Sequence, residues 1–235
     1  MKNEKFYSFI RNFIHLIFPE KCLHCSCELI ENENHICDFC FRDIPYTFFE
    51  NFQDANDMDK LFWGRIPVDS SYALMYFKEG TVSQTILHAL KYQNNYKIGI
   101  YFGEQIGKKM NDKSIFSTIE ALVPVPIHPK KKFSRGYNQA EILCEGIAKQ
   151  LKIPVLTHFT AKNKHTESQT RKTLAERWMN SNDVFQSEKN FTAFKHIAIV
   201  DDVLTTGSTL EHLTKSILEK NTDIKISLIT LAITK

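Results

Sequence analysis

The chain has no run of about 18 apolar residues, so no membrane-spanning helix is expected. It carries little net charge, +3 over 235 residues, which by itself does not argue for nucleic acid. There is no internal repeat and no low-complexity tract, which sets aside solenoids and tail-like segments. Two phosphate-binding signatures are missing. No G-x-x-x-x-G-K-[ST] is present, which excludes the nucleoside-triphosphate loop, and no G-x-G-x-x-G, which excludes the dinucleotide fingerprint. A secretory signal is lacking too, because the apolar stretch at the N-terminus is broken and has no small-residue cleavage site. A cytoplasmic location is therefore expected. With 43% hydrophobic and 24% charged residues, the length suits one medium α/β domain plus a small appendage.

What is present begins with an amphipathic pattern. Phe6, Phe9, Ile10, Phe13, Ile14, Ile17 and Phe18 recur at helical spacing, with Lys5, Arg11 and Asn12 between them. A helix over 1–19 is expected to pack on the protein or a partner, with peripheral contact to a membrane surface as the alternative.

Over 20–45 the cysteines dominate. Cys22-x-x-Cys25 and Cys37-x-x-Cys40 are two paired hooks, and two such turns complete four-coordinate zinc. Cys27, His24 and His35 are spare, and Cys27 or His35 can replace one ligand, but the symmetrical pairing favours the four named. Disulfides would need an oxidising compartment. With four thiolates the zinc has no open position, so its role is folding.

Residues 46–118 read as a linker and hood-like region. Glu50 to Lys60 is polar and acidic, a linker or an exposed loop; Tyr72 to Phe77 has strand character; Thr81 to Tyr92 and Tyr96 to Met110 read as helices. From 119 to 235 strands and helices alternate: a strand at Ala121 to Pro126, a helix at Gln139 to Leu151, a short strand at Pro154 to Leu156, a strand at Ile197 to Val200 and a final one at Ile224 to Ile233. That alternation predicts a mainly parallel sheet flanked by helices, with ligands beyond the carboxyl ends of the strands.

The richest segment is Ile197 to Thr209. Four apolar residues precede Asp201 and Asp202, which sit where the strand is expected to end; then Thr205-Thr206-Gly207-Ser208-Thr209 leads into a helix from Leu210 to Leu218. A helix N-terminus with unpaired N–H groups, a glycine permitting close approach and four hydroxyls is chemistry for holding an anion. The loop Pro124 to Gln139, which the sheet brings beside it, adds Lys130-Lys131-Lys132 and Arg135. A second basic stretch runs from Lys162 to Lys172; either basic run is also compatible with a solvated face.

The strand, acidic pair and T-T-G-x-[ST] turn resemble the phosphoribosyl-pyrophosphate (PRPP) motif of type I phosphoribosyltransferases. V-P-V-P-x-H-P, a basic run and R-G-[FY]-N-Q over 123–139 narrow the resemblance to the ComF family of competence-associated proteins, which also carry an N-terminal four-cysteine knuckle. Gln169-Thr-x-x-x-Leu-x-x-Arg177-x-x-Asn180 matches a further element of that family.

The resemblance implies a type I phosphoribosyltransferase-like α/β fold with a small zinc-binding module. It implies that Asp201 and Asp202 meet the ribose hydroxyls, directly or through Mg²⁺-ordered water, and that Thr205, Thr206, Gly207, Ser208 and Thr209 hold the 5′-phosphate. The turn with Pro126, His128 and Lys130 would meet pyrophosphate, supported by Arg135 and Gln139, and Gln169, Arg171 and Arg177 would belong to a lid over the site. The activity implied is Mg-dependent phosphoribosyl transfer, with Asp201, Asp202 and Arg135 as the catalytic set. The alternative is a non-enzymatic protein of the transformation machinery. It would bind single-stranded DNA or a translocation partner through its basic loops and aromatics such as Phe133 and Tyr137, and keep the PRPP pocket for sensing.

Overall fold

The computed structural model describes residues 19–52, 54–92, 95–111, 116–157, 160–162, 185–187, 191 and 193–234. The strands β1 (Ser71–Phe77), β2 (Ala121–Pro124), β5 (His196–Leu204) and β6 (Lys225–Thr234) are nearly continuous apolar runs; eight consecutive residues of β6 are buried. Strands of that kind need cover on both faces, the condition of a parallel sheet. They pair in the order β1–β6–β5–β2, every pair parallel. Isolated bridges extend both edges: Val155, in the short strand expected at Pro154 to Leu156, lies parallel to Leu122, and Tyr46 lies antiparallel to Met75. A separate two-stranded ladder joins β3 (Thr160–Lys162) and β4 (Phe185–Ser187). The expected mainly parallel α/β sheet is thus observed, and it takes its outer strand β1 from residues preceding 119.

Seven α-helices lie among the described residues: α1 (Asp38–Arg42), α2 (Asp57–Phe62), α3 (Val82–Tyr92), α4 (Tyr96–Asn111), α5 (Pro129–Arg135), α6 (Gln139–Leu151) and α7 (Ser208–Leu218). α4 and α6 touch backbone to backbone. A Cβ added at Gly146 would stand 2.2 Å from the Ile100 carbonyl oxygen, and one at Gly103 would stand 2.3 Å from that of Leu143. No helix among the described residues is long and apolar enough to cross a membrane.

Three expectations change. The polar segment from Glu50 to Lys60 is not an exposed loop. Glu50 is buried, and Asn56 opens α2 through a reciprocal capping box with Asp59, seating Met58 and Phe62 in the core one turn apart. The segment from Pro124 to Gln139 is not all loop. His128 caps α5, Pro129 occupies its first turn and Gly136 (φ +81°) ends it, so signals local to the chain suffice for a two-turn helix. Finally, β5 does not stop at Val200; it continues through the acidic pair to Leu204, because β6 continues beside it, with Asp201 opposite Thr230 and Leu204 opposite Ile233.

Candidate functional site

The site arises where neighbouring strands end at different heights. β2 pairs with β5 only as far as Pro124 opposite Val200, and one more bond, from the Val125 amide to the Val200 carbonyl at 2.9 Å, closes the ladder. Pro126 has no N–H with which to continue it. Beyond that point the chain turns into α5 while β5 runs on, leaving a crevice beside Asp201 and Asp202. Asn138 ties the crevice together: its Oδ1 caps α6 by accepting from the Ala140 amide at 3.1 Å, while its Nδ2 donates to the Val125 carbonyl at 3.0 Å.

The resulting cleft encloses about 160 Å³. Pro126, His128, Lys131, Arg135 and Gln139 line it from the segment between β2 and α6, and Asp201, Asp202 and Thr209 from β5 and the start of α7. The basic lining differs from expectation at one position. Lys131 rather than Lys130 lines the cleft, because successive residues of α5 point about 100° apart; the Lys130 amide donates to His128 Nδ1 at 3.2 Å. Arg135 is preorganised: it donates to Gln139 Oε1 at 3.0 Å and its guanidinium lies 5.7 Å from the Tyr92 ring centroid. Tyr137 is half-buried and donates to the Leu90 carbonyl at 2.7 Å, whereas Phe133 is 93% exposed.

The acidic pair has a partner that no local motif announces. Lys91, at the end of α3, reaches Asp202 at 3.2 Å. The Asp202 amide donates to Asp201 Oδ1 at 2.8 Å. Burial, and secondarily the neighbouring Asp202 carboxylate, push Asp201 up to about 8.

Of the hydroxyl-rich turn, Thr205, Thr206 and Gly207 form the bend, Ser208 opens α7 and Thr209 lines the cleft. Gly207 is left-handed (φ +77°), and no side chain caps α7. Space as well as conformation demands glycine there, since a Cβ would sit 2.8 Å from the Phe62 ring. The turn is braced from outside by Arg65. Its guanidinium donates to the Thr206 carbonyl at 3.1 Å and to Glu211 at 2.5 and 3.0 Å, and Lys215 holds the other oxygen of Glu211 at 2.7 Å. Nothing in the sequence around Lys91 or Arg65 marks them, because Asp202, Thr206 and Glu211 lie far away in the chain; for Glu211 the sequence shows only the i,i+4 pairing with Lys215. Asn138 does carry a legible signal, a capping residue directly before a helix.

The second cluster is the cysteine group. The sulfurs of Cys22, Cys25, Cys37 and Cys40 lie within 4.8 Å of one another. Tetrahedral zinc with bonds of about 2.3 Å separates its sulfurs by about 3.8 Å. The Cys25 and Cys37 sulfurs are 3.7 Å apart, and the Cys37 amide donates to Cys22 Sγ at 3.4 Å, so the donor set fits a closed structural zinc site. Cys27 and His35 are outside the group. The His35 ring packs edge-on against Tyr101 of α4 at 5.9 Å, and His24 Nδ1 meets Thr85 Oγ1 of α3 at 2.9 Å, which docks the module on two helices of the larger unit. The lid residues Gln169, Arg171 and Arg177, and all but the last residue of the expected N-terminal helix, lie outside the described residues.

No protein-family model matches the chain. It is similar to Competence protein F of Haemophilus influenzae, 26% identical over 84% of this chain and 90% of that protein. A comparable match is Competence protein ComFC of Bacillus subtilis, 26% identical over 92% of this chain and 86% of that one. DNA utilization protein YhgH of Escherichia coli is 28% identical over 42% of this chain and 43% of its own length. Among solved structures, a glutamine PRPP amidotransferase from B. subtilis, complexed with ADP and GMP, aligns with 60% of this chain and 30% of its own at 13% identity and a TM-score of 0.42, too loose a likeness to argue from.

Proposed function

We propose that this chain, a homologue of the competence proteins F and ComFC, binds PRPP or a related phosphorylated ribose in the cleft and serves natural competence and DNA uptake. The observation that carries the reading is one cleft lined together by an acidic pair, by basic residues of α5 and by Thr209 in the first turn of α7. Two carboxylates suit a ribose diol, and amides and hydroxyls at α7 suit a terminal phosphate. Arg135 and Lys131 line the same cleft as the acidic pair, and cations of this kind suit the charge that gathers on a departing pyrophosphate. The association with competence comes from the names of the relatives that match nearly end to end.

The chemistry that follows is Mg-dependent phosphoribosyl transfer, displacement of pyrophosphate at ribose C1 through an oxocarbenium-like transition state. Asp201 and Asp202 are oxygen donors in the cleft that would suit a Mg²⁺ brought with PRPP, which would supply neutralisation of pyrophosphate charge. The protein's own part is to hold the ring through the acidic pair and to set preorganised cations against the leaving group. Calorimetric titration of Mg–PRPP into wild type and into Asp201→Asn and Asp202→Asn tests the pocket. Saturable binding by wild type, weakened but still measurable in both variants, is expected, and no binding by wild type defeats the reading at its first step.

A second reading, single-stranded DNA binding without turnover, is favoured by one observation. Phe133 projects almost fully exposed from α5 among Lys130, Lys131 and Lys132, an aromatic amid positive charge of the sort that stacks on bases. Its affinity for single-stranded DNA should fall steeply with salt, and a flat response removes it.

A further inference from the structure

The cysteine module holds one more thiol than zinc needs. Cys27 Sγ stands 3.2 Å from Cys25 Sγ, and both residues are exposed, whereas Cys22, Cys37 and Cys40 are buried. The approach is built into the backbone. Ser26 adopts a left-handed conformation (φ +61°), which turns residue 27 back upon residue 25. The turn is closed by two hydrogen bonds, Ser26 N to Cys22 O at 3.0 Å and Cys22 N to Cys27 O at 2.8 Å. A non-glycine residue rarely takes that conformation without compensation, and here it places a fifth sulfur against an accessible ligand of the proposed metal.

We propose that Cys25 and Cys27 are a peroxide-sensitive thiol pair whose closure to a disulfide removes one zinc ligand and opens the module. Peroxide attacks the exposed Cys25 thiolate: sulfur donates an electron pair, the O–O bond breaks, and a sulfenic acid forms while one water leaves with a solvent proton. The Cys27 thiol then attacks that sulfur, the S–S bond forms, and the sulfenic oxygen departs as a second water carrying the thiol proton. One peroxide is reduced to two waters, and two cysteines are oxidised. Susceptibility of this kind follows exposure and an adjacent resolving thiol, both present here. Zinc left with Cys22, Cys37 and Cys40 has lost its closed shell and is free to dissociate. The inference rests on the reading of the four sulfurs as a zinc site and is independent of the ribose site.

The test uses the full chain, purified under reduction. Its zinc content is measured first, for wild type, Cys27→Ser and Cys27→Ala; about one zinc per chain is expected in all three. Hydrogen peroxide is then added and zinc release followed with a colorimetric chelator, and the fragment between Glu20 and Glu28 is mapped by mass spectrometry. The expected result is release from wild type with a disulfide joining Cys25 and Cys27, reversed by dithiothreitol and added zinc, and release at least about tenfold slower in both variants. Equal release rates in wild type and variants overturn the proposal, as does a disulfide pairing Cys22 with Cys25. Loss of zinc from the reduced variants alone makes Cys27 a ligand and overturns it too. A reduced wild type without zinc defeats the metal centre itself, a separate failure.

Discussion

Asp201 offers the most exacting test of the cleft. Burial and the adjacent Asp202 raise its pKa to about 8, whereas a ribose diol or a cation is best met by its ionised form. Ligand binding must then expel a proton at neutral pH. With a pKa near 8, the ionised fraction is about one hundredth at pH 6 and about one half at pH 8, so the affinity for Mg–PRPP should rise about fiftyfold across that interval and level off above it. Titrations in buffers of different ionisation enthalpy should register close to one proton released from the protein per ligand bound at pH 6.5.

The ligand's phosphates also titrate in this range, so Asp201→Asn is the control: its affinity is lower, and its pH slope lacks the protein's share. Lys91 supplies a second handle. Its charge favours the ionised Asp201, so Lys91→Met should move the midpoint upward. An identical pH slope in wild type and Asp201→Asn would refute the reasoning. The sign for stability is opposite. The folded state holds a proton on Asp201 that the unfolded chain gives up near pH 4, so this residue's contribution is fully present below pH 4 and declines as pH rises towards about 8.

Three further outcomes follow from packing and the metal group. Gly207→Ala should destabilise the fold by about 1–3 kcal/mol in urea unfolding, through a left-handed φ and a Cβ driven into the Phe62 ring, and should weaken ligand binding as the turn shifts. Gly146→Ala should cost at least as much without touching the cleft chemistry, since its Cβ meets the rigid Ile100 carbonyl; a melting temperature equal to wild type refutes the close α4–α6 contact. Chelation of zinc from the reduced protein should loosen residues 20–45 first, seen as faster amide exchange there while β5 and β6 stay protected.

How much of the fold and of the cleft is legible in the sequence depends on how local each signal is. The helix from Gln139 to Leu151 can be read to the residue, because a capping asparagine and an amphipathic period sit within one segment. The four cysteines are assignable as a group from spacing alone. The true end of β5 is not, since two aspartates look like a strand terminus until β6 is known to run beside them. Nor is the buried seat of Met58, in a stretch whose composition reads as solvent-exposed.

The sequence by itself determined the chemistry available: an acidic pair, a hydroxyl-rich turn at a helix start, a basic segment and four paired thiols, each encoded within a short stretch of chain. Only the tertiary structure decided which of these meet. The early end of β2 beside the long β5 opens the cleft, and Lys131 faces it in place of Lys130 because of the pitch of α5. Lys91, Arg65 and Phe62 arrive from elements far earlier in the chain to hold Asp202 and the turn at Gly207. The physical reason is that capping, periodicity and ligand spacing are written over one or two turns of chain. Burial, and the charge it displaces on Asp201, exist only once distant segments have excluded water together.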